Sequence, residues 1–114
     1  MKVNYKEVKK EEISDGIHRR WLIDEKIGAK NFFMRLFEIL PNKETVIDQH
    51  PYEHEIFILE GRGIATIGKE ILPISKGDAL FISPNEIHSI KNTGSEILQF
   101  LCMVPSSYRE FQRW

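Results

Sequence analysis

From Ile17 onward, apolar residues recur at every second position or in short unbroken runs of strand length, and no long segment keeps a helical period. The pattern predicts strands over Ile17–Ile23, Phe32–Ile39, Val46–His50, Glu55–Glu60, Gly63–Ile67, Ile71–Ile74, Ala79–Ile82, Ile87–Lys91 and Ile97–Val104. Turn residues stand between most of them: Gly28, Pro41-Asn42, Pro51, Gly61, Gly68, Gly77-Asp78, Pro84-Asn85 and Asn92-Thr93-Gly94. Many short strands at this spacing predict an all-β sandwich or closed barrel. Residues 1 to 15 are polar with isolated apolar positions, which fits either a frayed arm or an added edge strand. At the other end Ser107 and Glu110 fit a capping box, and Tyr108, Phe111 and Trp114 fall on one helical face. A short C-terminal helix is expected there, closing one end of the barrel or packing on a partner subunit.

Length and charge narrow the classes. At 114 residues with 41% hydrophobic positions the chain suits one domain around one core, with no room for a second. Lys and Arg number 16 against 17 Asp and Glu, and the signs are interspersed, so there is no basic stripe to follow a nucleic acid backbone. No apolar run is long enough to span a bilayer, and Met1-Lys-Val-Asn-Tyr-Lys-Glu7 lacks the apolar centre of a signal peptide. A soluble cytoplasmic protein with no membrane or nucleic acid partner is expected. Cys102, flanked by Leu101 and Met103, reads as a small buried hydrophobe.

The chemistry concentrates in three histidines. His50 and His54 have three residues between them, and His88 lies 34 positions beyond His54 in another apolar stretch. Neutral imidazole is the commonest protein ligand for a divalent metal, so imidazoles gathered from separate strands suggest a metal site. On extended backbone Asp48 and His50 share one face while Ile47 and Gln49 take the other, which sets a carboxylate beside an imidazole. His54 starts the next strand, and His88 follows the Pro84-Asn85 turn. His18, between Ile17 and Arg19, has no ligand neighbour and reads as an ordinary hydrogen-bonded residue. Glu53 and Glu55 read as solvated or supporting groups; Glu53 and Glu86 are the carboxylates left over as acid–base candidates. Phe57, Ile58, Phe81, Ile82, Phe100 and Leu101 are expected to form the barrel wall.

These residues resemble the two motifs of the cupin superfamily. The first motif has His-x-His, a Glu four residues after the second His, and a Gly seven residues beyond that Glu. Counting back from Gly61 puts His54 at the Glu position, His50 at the second His and Asp48 at the first. The second motif is matched by Gly77, Pro84, His88 and Asn92, with the Pro-to-His segment one residue short of the strict form. The resemblance spans roughly residues 28 to 105, leaving 1 to 27 as an arm or edge strands and 106 to 114 as a tail. It is greatest to the small single-domain conserved-barrel cupins, some of which carry an all-histidine site.

That resemblance implies a double-stranded β-helix, or jelly-roll, barrel. It implies a divalent transition metal (Mn, Fe, Ni, Co or Zn) on Asp48, His50, His54 and His88, again three histidines and one carboxylate but with the carboxylate moved to the first position. The function expected is that of a small metal-binding cupin, as an oxygenase or isomerase acting on a small molecule. The alternative is a non-catalytic module that binds a small molecule or sugar. A storage role suits neither the small size nor the ligand set. A homodimer is expected from the arm and the aromatic tail.

Overall fold

In the computed structural model, residues 1–107 and 114 are described. Among them the strands run in chain order as β1 (Glu11–Ser14), β2 (Ile17–Ile23), β3 (Phe32–Ile39), β4 (His54–Glu60), β5 (Arg62–Ile67), β6 (Glu70–Ser75), β7 (Ala79–Ile82), β8 (His88–Asn92) and β9 (Leu98–Pro105). One sheet has the order β1-β2-β3-β9-β4-β7 and the other β6-β5-β8, and every neighbouring pair is antiparallel. This is the all-β arrangement that the strand spacing predicts, in the jelly-roll form that the family resemblance implies.

Period-two patterning builds the core. Along β9, Leu98, Phe100, Cys102 and Val104 are buried while Gln99, Leu101 and Met103 are less so. Phe33, Phe37 and Ile39 of β3 and Ile56 and Ile58 of β4 meet them in the same sheet, and Ala65, Ile67 and Ile90 close the core from the other. Burying an aliphatic or Phe side chain of this kind stabilises by about 1.5–3 kcal/mol, so this interior sets the register of both sheets. Gly61, between β4 and β5, has φ +87°, and a Cβ there would stand 2.7 Å from the Ile97 carbonyl oxygen. Only glycine fits that crossing.

The structure departs from the sequence pattern in two places. Val46–His50 is not a strand; Glu44 and Asp48 make isolated bridges to Lys91 and His88. The ladder breaks because the Ile90 N–H bonds to the Thr45 hydroxyl at 2.9 Å, and the Val46 carbonyl accepts from the Trp114 indole N–H at 3.1 Å. The alternation survives nevertheless, with Asp48 and His50 buried and Ile47 and Gln49 exposed. Second, Phe57 and Phe81 do not line the barrel: they are 41% and 54% exposed on its outer face, because the inward phase of β4 belongs to His54, Ile56 and Ile58. Ile58, Ile82 and Phe100 do face inward. Of the two readings open for residues 1 to 15, the structure takes the edge strand: β1 pairs Glu12 with His18 and adds an edge to the larger sheet. The expected C-terminal helix, with Tyr108 and Phe111, lies outside the described residues.

Asn92 ends β8 and is fully buried. Its amide N–H₂ donates to the carbonyls of Ile39 and Glu96, each at 2.8 Å, and its side-chain oxygen accepts from Gly94 N–H at 2.9 Å. Asn92→Ala leaves the buried Ile39 carbonyl and the part-buried Glu96 carbonyl and Gly94 N–H without their partner, each hydrogen bond being worth about 1 kcal/mol. It should therefore lower the unfolding free energy by about 2–4 kcal/mol in urea titration. A loss below 1 kcal/mol would mean that the turn closes without it.

Candidate metal centre

One strand from each sheet and the segment before β4 bring three imidazoles to one point inside the barrel. His54 opens β4, His88 opens β8, and His50 comes from the bridged segment ahead of Pro51. Their exposures are 5% for His50 and 1% for His54 and His88, and one ligand atom from each lies within 4.8 Å of the others. The ring centroids are 4.3 Å apart for His50 and His54, 4.8 Å for His50 and His88 and 5.3 Å for His54 and His88.

Local backbone fixes how two of the rings point. The His50 Nδ1–H donates to the Tyr52 carbonyl at 2.8 Å, and the His88 Nδ1–H to the Glu86 carbonyl at 2.7 Å. Each bond holds the proton on Nδ1 and leaves the Nε2 lone pair free, which is how proteins orient imidazole ligands. The Tyr52 ring also stacks on His50, with centroids 3.7 Å apart and planes 3° from parallel, so His50 cannot rotate freely. The turn around Pro84-Asn85 supplies the Glu86 carbonyl, and the Glu86 side chain caps the Ser83 N–H at 3.1 Å. Both supports lie two residues from the histidine they orient.

The remaining ring nitrogens are the ones without partners. His50 Nε2, both nitrogens of His54 and His88 Nε2 are buried with no hydrogen-bond partner among the described residues. Buried polar atoms are nearly always satisfied, and an unmet buried acceptor costs about 1–3 kcal/mol. Several unmet lone pairs converging on one point are what a cation requires. Two metal–nitrogen bonds of about 2.1 Å span at most about 4.2 Å, so the rings need draw in only slightly from the separations seen. The donor set fits a borderline divalent ion of the first transition series.

Electrostatics favour neutral rings. Burial is the chief cause that lowers the His50, His54 and His88 pKa values, and for His54 the charge of Arg35 follows. The Asp48 carboxylate opposes this for His50 and His88. Asp48 is buried, exchanges main-chain hydrogen bonds with His88 at 3.1 and 3.0 Å, and accepts from the Gln49 N–H at 2.8 Å through its side chain. It thus lies beside the imidazoles, although among the described residues the cluster of ligand atoms comprises the three histidines. Glu53 and Glu55 are exposed, and His18 pairs with Glu12 at 3.5 Å on the edge of the sheet.

Two residues at the centre were not singled out as site residues from the sequence. Trp114 was assigned to the aromatic tail, yet it is 1% exposed, with its indole 5.0 Å from His88 and 5.6 Å from His54. Arg35 is wholly buried on the inward face of β3. Its signal was present: a lone charge in the Phe33, Arg35, Phe37, Ile39 phase of an otherwise apolar strand.

A family model described as the cupin domain matches residues 35–104. An uncharacterised protein of Methanocaldococcus jannaschii is 33% identical over 105 residues, covering 90% of this chain and 83% of the relative. The polyketide cyclase RemF of Streptomyces resistomycificus superimposes with a TM-score of 0.85 at 30% identity, covering 93% of this chain and 79% of that one. A Thermotoga maritima protein described as a predicted oxalate decarboxylase gives 0.83 at 29% identity, covering 93% of this chain and 99% of that one. Other curated relatives are longer, and the chain spans 17% to 61% of their length.

The lowered imidazole pKa values have a stability consequence. In the unfolded chain these histidines titrate near 6.5, whereas the fold resists protonating them. The metal-free fold therefore keeps its full stability above that pH and loses it as pH falls through about 6.5, where the unfolded chain takes up protons that the folded one does not. Each such group contributes a slope of up to about 1.4 kcal/mol per pH unit, about 4 for three. Urea unfolding of chelator-treated protein between pH 7.5 and 5 should show this fall; a flat profile would contradict burial of the neutral rings.

Proposed function

The chain belongs to the cupin family, and we propose that it holds a divalent transition metal (Mn, Fe, Ni, Co or Zn) on His50, His54 and His88, with Asp48 beside them, and acts on a small organic molecule as an oxygenase or isomerase. The observation that carries this reading is the convergence of buried imidazole nitrogens lacking any partner among the described residues. A bound ion of this kind supplies Lewis-acid polarisation of a ligand oxygen and, for iron, redox chemistry. The chain's own contribution is orientation and exclusion of water: the Tyr52 and Glu86 carbonyls aim two rings, and the apolar core keeps the lone pairs dry. Asp48 lies close enough to offset positive charge. Tyr52 is poorly suited as a base, since burial pushes its hydroxyl pKa well up. The names of similar proteins, a polyketide cyclase and a predicted oxalate decarboxylase, support chemistry on a small molecule.

A second reading, a binding module without turnover, is favoured by the Trp114 indole beside the triad, by the exposed position of Glu53 and by the Glu86 carboxylate being held on the Ser83 N–H. Metal with no oxygen uptake and no turnover in a small-molecule screen would favour it.

Protein purified without chelator and then loaded should carry close to one ion per chain by elemental analysis. His88→Ala should lose most of the affinity, while Asp48→Ala should lose about 10- to 100-fold, as when a group acts through water or through a ligand. Background metal content that added Mn, Fe, Ni, Co or Zn cannot raise would contradict the reading. Equal losses in the two variants would make Asp48 a direct ligand.

We also propose that the protein is a single barrel domain that works as a cytoplasmic homodimer. The support for the dimer is a surface other than the tail: Phe32, Phe57 and Phe81 are 76%, 41% and 54% exposed on the outside of the larger sheet, next to Leu101 and Met103. Trp114 has no part in it, being turned inward. Light scattering should give a dimer at micromolar concentration and a monomer for Phe57→Glu/Phe81→Glu; monomeric parent protein would refute the dimer. Among the described residues no helix is long and apolar enough to cross a membrane, and Cys102 is a free buried thiol, which suits a reducing compartment.

A further inference from the structure

A cavity of about 460 Å³ lies where the N-terminal arm and the 3-10 turn Glu25–Ile27 flank β2. That volume falls in the range of small-molecule pockets, about 300–1,000 Å³. None of its lining residues belongs to the cluster of His50, His54 and His88. The apolar wall is made by Val3 and Val8 of the arm, Leu22 of β2 and Ile27 of the turn, with the Trp21 indole among them. The indole is held in place: the Phe33 ring meets it edge-on with centroids 5.9 Å apart, and the Arg19 guanidinium carbon lies 5.1 Å from its ring. A half-buried ring fixed among aliphatic side chains is well suited to grip an apolar body.

The polar part of the lining is positive. Lys9, Arg19 and Lys26 stand against Glu11 and Asp24, an excess of one cation. Both acids are already engaged: the Glu11 carboxylate lies 3.5 Å from Arg19 Nη2, and the Asp24 carboxylate accepts the Lys26 main-chain N–H at 3.0 Å. The Lys9 and Lys26 ammonium groups make no ion pair among the described residues. An exposed lysine is ordinarily just solvated, but these two come from separate segments and border one concave apolar wall. An ammonium there is a compact charge with three donors, which suits a carboxylate.

We propose that this cavity is a second binding site, for an amphipathic carboxylate: the apolar body lies against Trp21 and its aliphatic neighbours, and the carboxylate pairs with the Lys9 and Lys26 ammonium groups. The site goes beyond the metal reading and needs no metal. It gives the N-terminal arm a task besides edging the sheet, because Val3, Val8 and Lys9 all precede β1. The apolar wall supplies affinity for the body, and the two cations supply the preference for a negative head over a neutral or positive one.

The test titrates octanoate, neutral octanol and cationic octylammonium into chelator-treated and zinc-loaded protein by calorimetry. Octanoate should bind once per chain and at least tenfold more tightly than octanol, with octylammonium weaker still. Lys9→Gln/Lys26→Gln changes two exposed side chains, so the fold is kept; it should remove the preference for octanoate and leave octanol binding unchanged. The sequence contains two tryptophans, so Trp21→Phe leaves Trp114 as the sole emitter. Octanoate should shift the tryptophan emission of the parent and not that of Trp21→Phe. No saturable octanoate binding at millimolar concentration, equal binding of octanoate and octanol, an intact preference in the double lysine variant, or the same emission shift in Trp21→Phe overturns the proposal. Competition between zinc and octanoate would place the octanoate at the triad and overturns it too. Octanoate preference in protein that takes up no zinc sinks the metal reading alone.

Discussion

Two hydrogen bonds, from His50 Nδ1–H to the Tyr52 carbonyl and from His88 Nδ1–H to the Glu86 carbonyl, are the constraint on which the candidate centre depends. Each fixes a tautomer as well as a direction, because a proton held on Nδ1 leaves the lone pair on Nε2. Without them the buried rings could turn to satisfy one another, and the cluster would be a hydrogen-bonded knot with no capacity for a cation. The turns that provide the carbonyls follow from proline placement: Pro51 sits between His50 and Tyr52, and Pro84 opens the turn that presents Glu86. Sequence-local chemistry therefore sets the orientation of ligand atoms that meet only through the closure of the barrel.

That closure explains why so much of the fold was legible. β2, β3 and β7 begin and end where the apolar pattern puts them, since both faces of each strand read clearly as inward or outward. Val46–His50 misled because its alternation is real while its ladder is not: a threonine hydroxyl and an indole N–H take hydrogen bonds that a neighbouring strand would otherwise make. Phe57 and Phe81 misled for a different reason. Large aromatics are read as core by default, yet the inward phase of β4 was already committed by His54. Period, once fixed by one residue, outranks hydrophobicity.

The candidate site was legible in its histidines and not in its surroundings. His50, His54 and His88 lie in the two motif stretches, so spacing alone could gather them. Arg35 and Trp114 are 79 positions apart in the chain and belong to neither motif, and only packing brings them together. A charged residue in the inward phase of a strand is the one local sign that could have raised Arg35 beforehand. The interior that results holds a permanent cation, the Asp48 carboxylate and three imidazoles whose burial favours the neutral form, inside one small apolar core. Such groups are expensive to bury unless something binds to them, which links the stability of this fold to its occupancy.

The most direct measurement of that account is the long-range proton–nitrogen correlation spectrum of the histidine rings during titration with Zn(II). The orientation described here predicts that the Nε2 signals of His50 and His88 move to metal-bound positions at one equivalent while their Nδ1–H signals persist, with a ring nitrogen of His54 moving in step and His18 unaffected. Loss of the Nδ1–H signals on binding, or a response confined to His18, would contradict it.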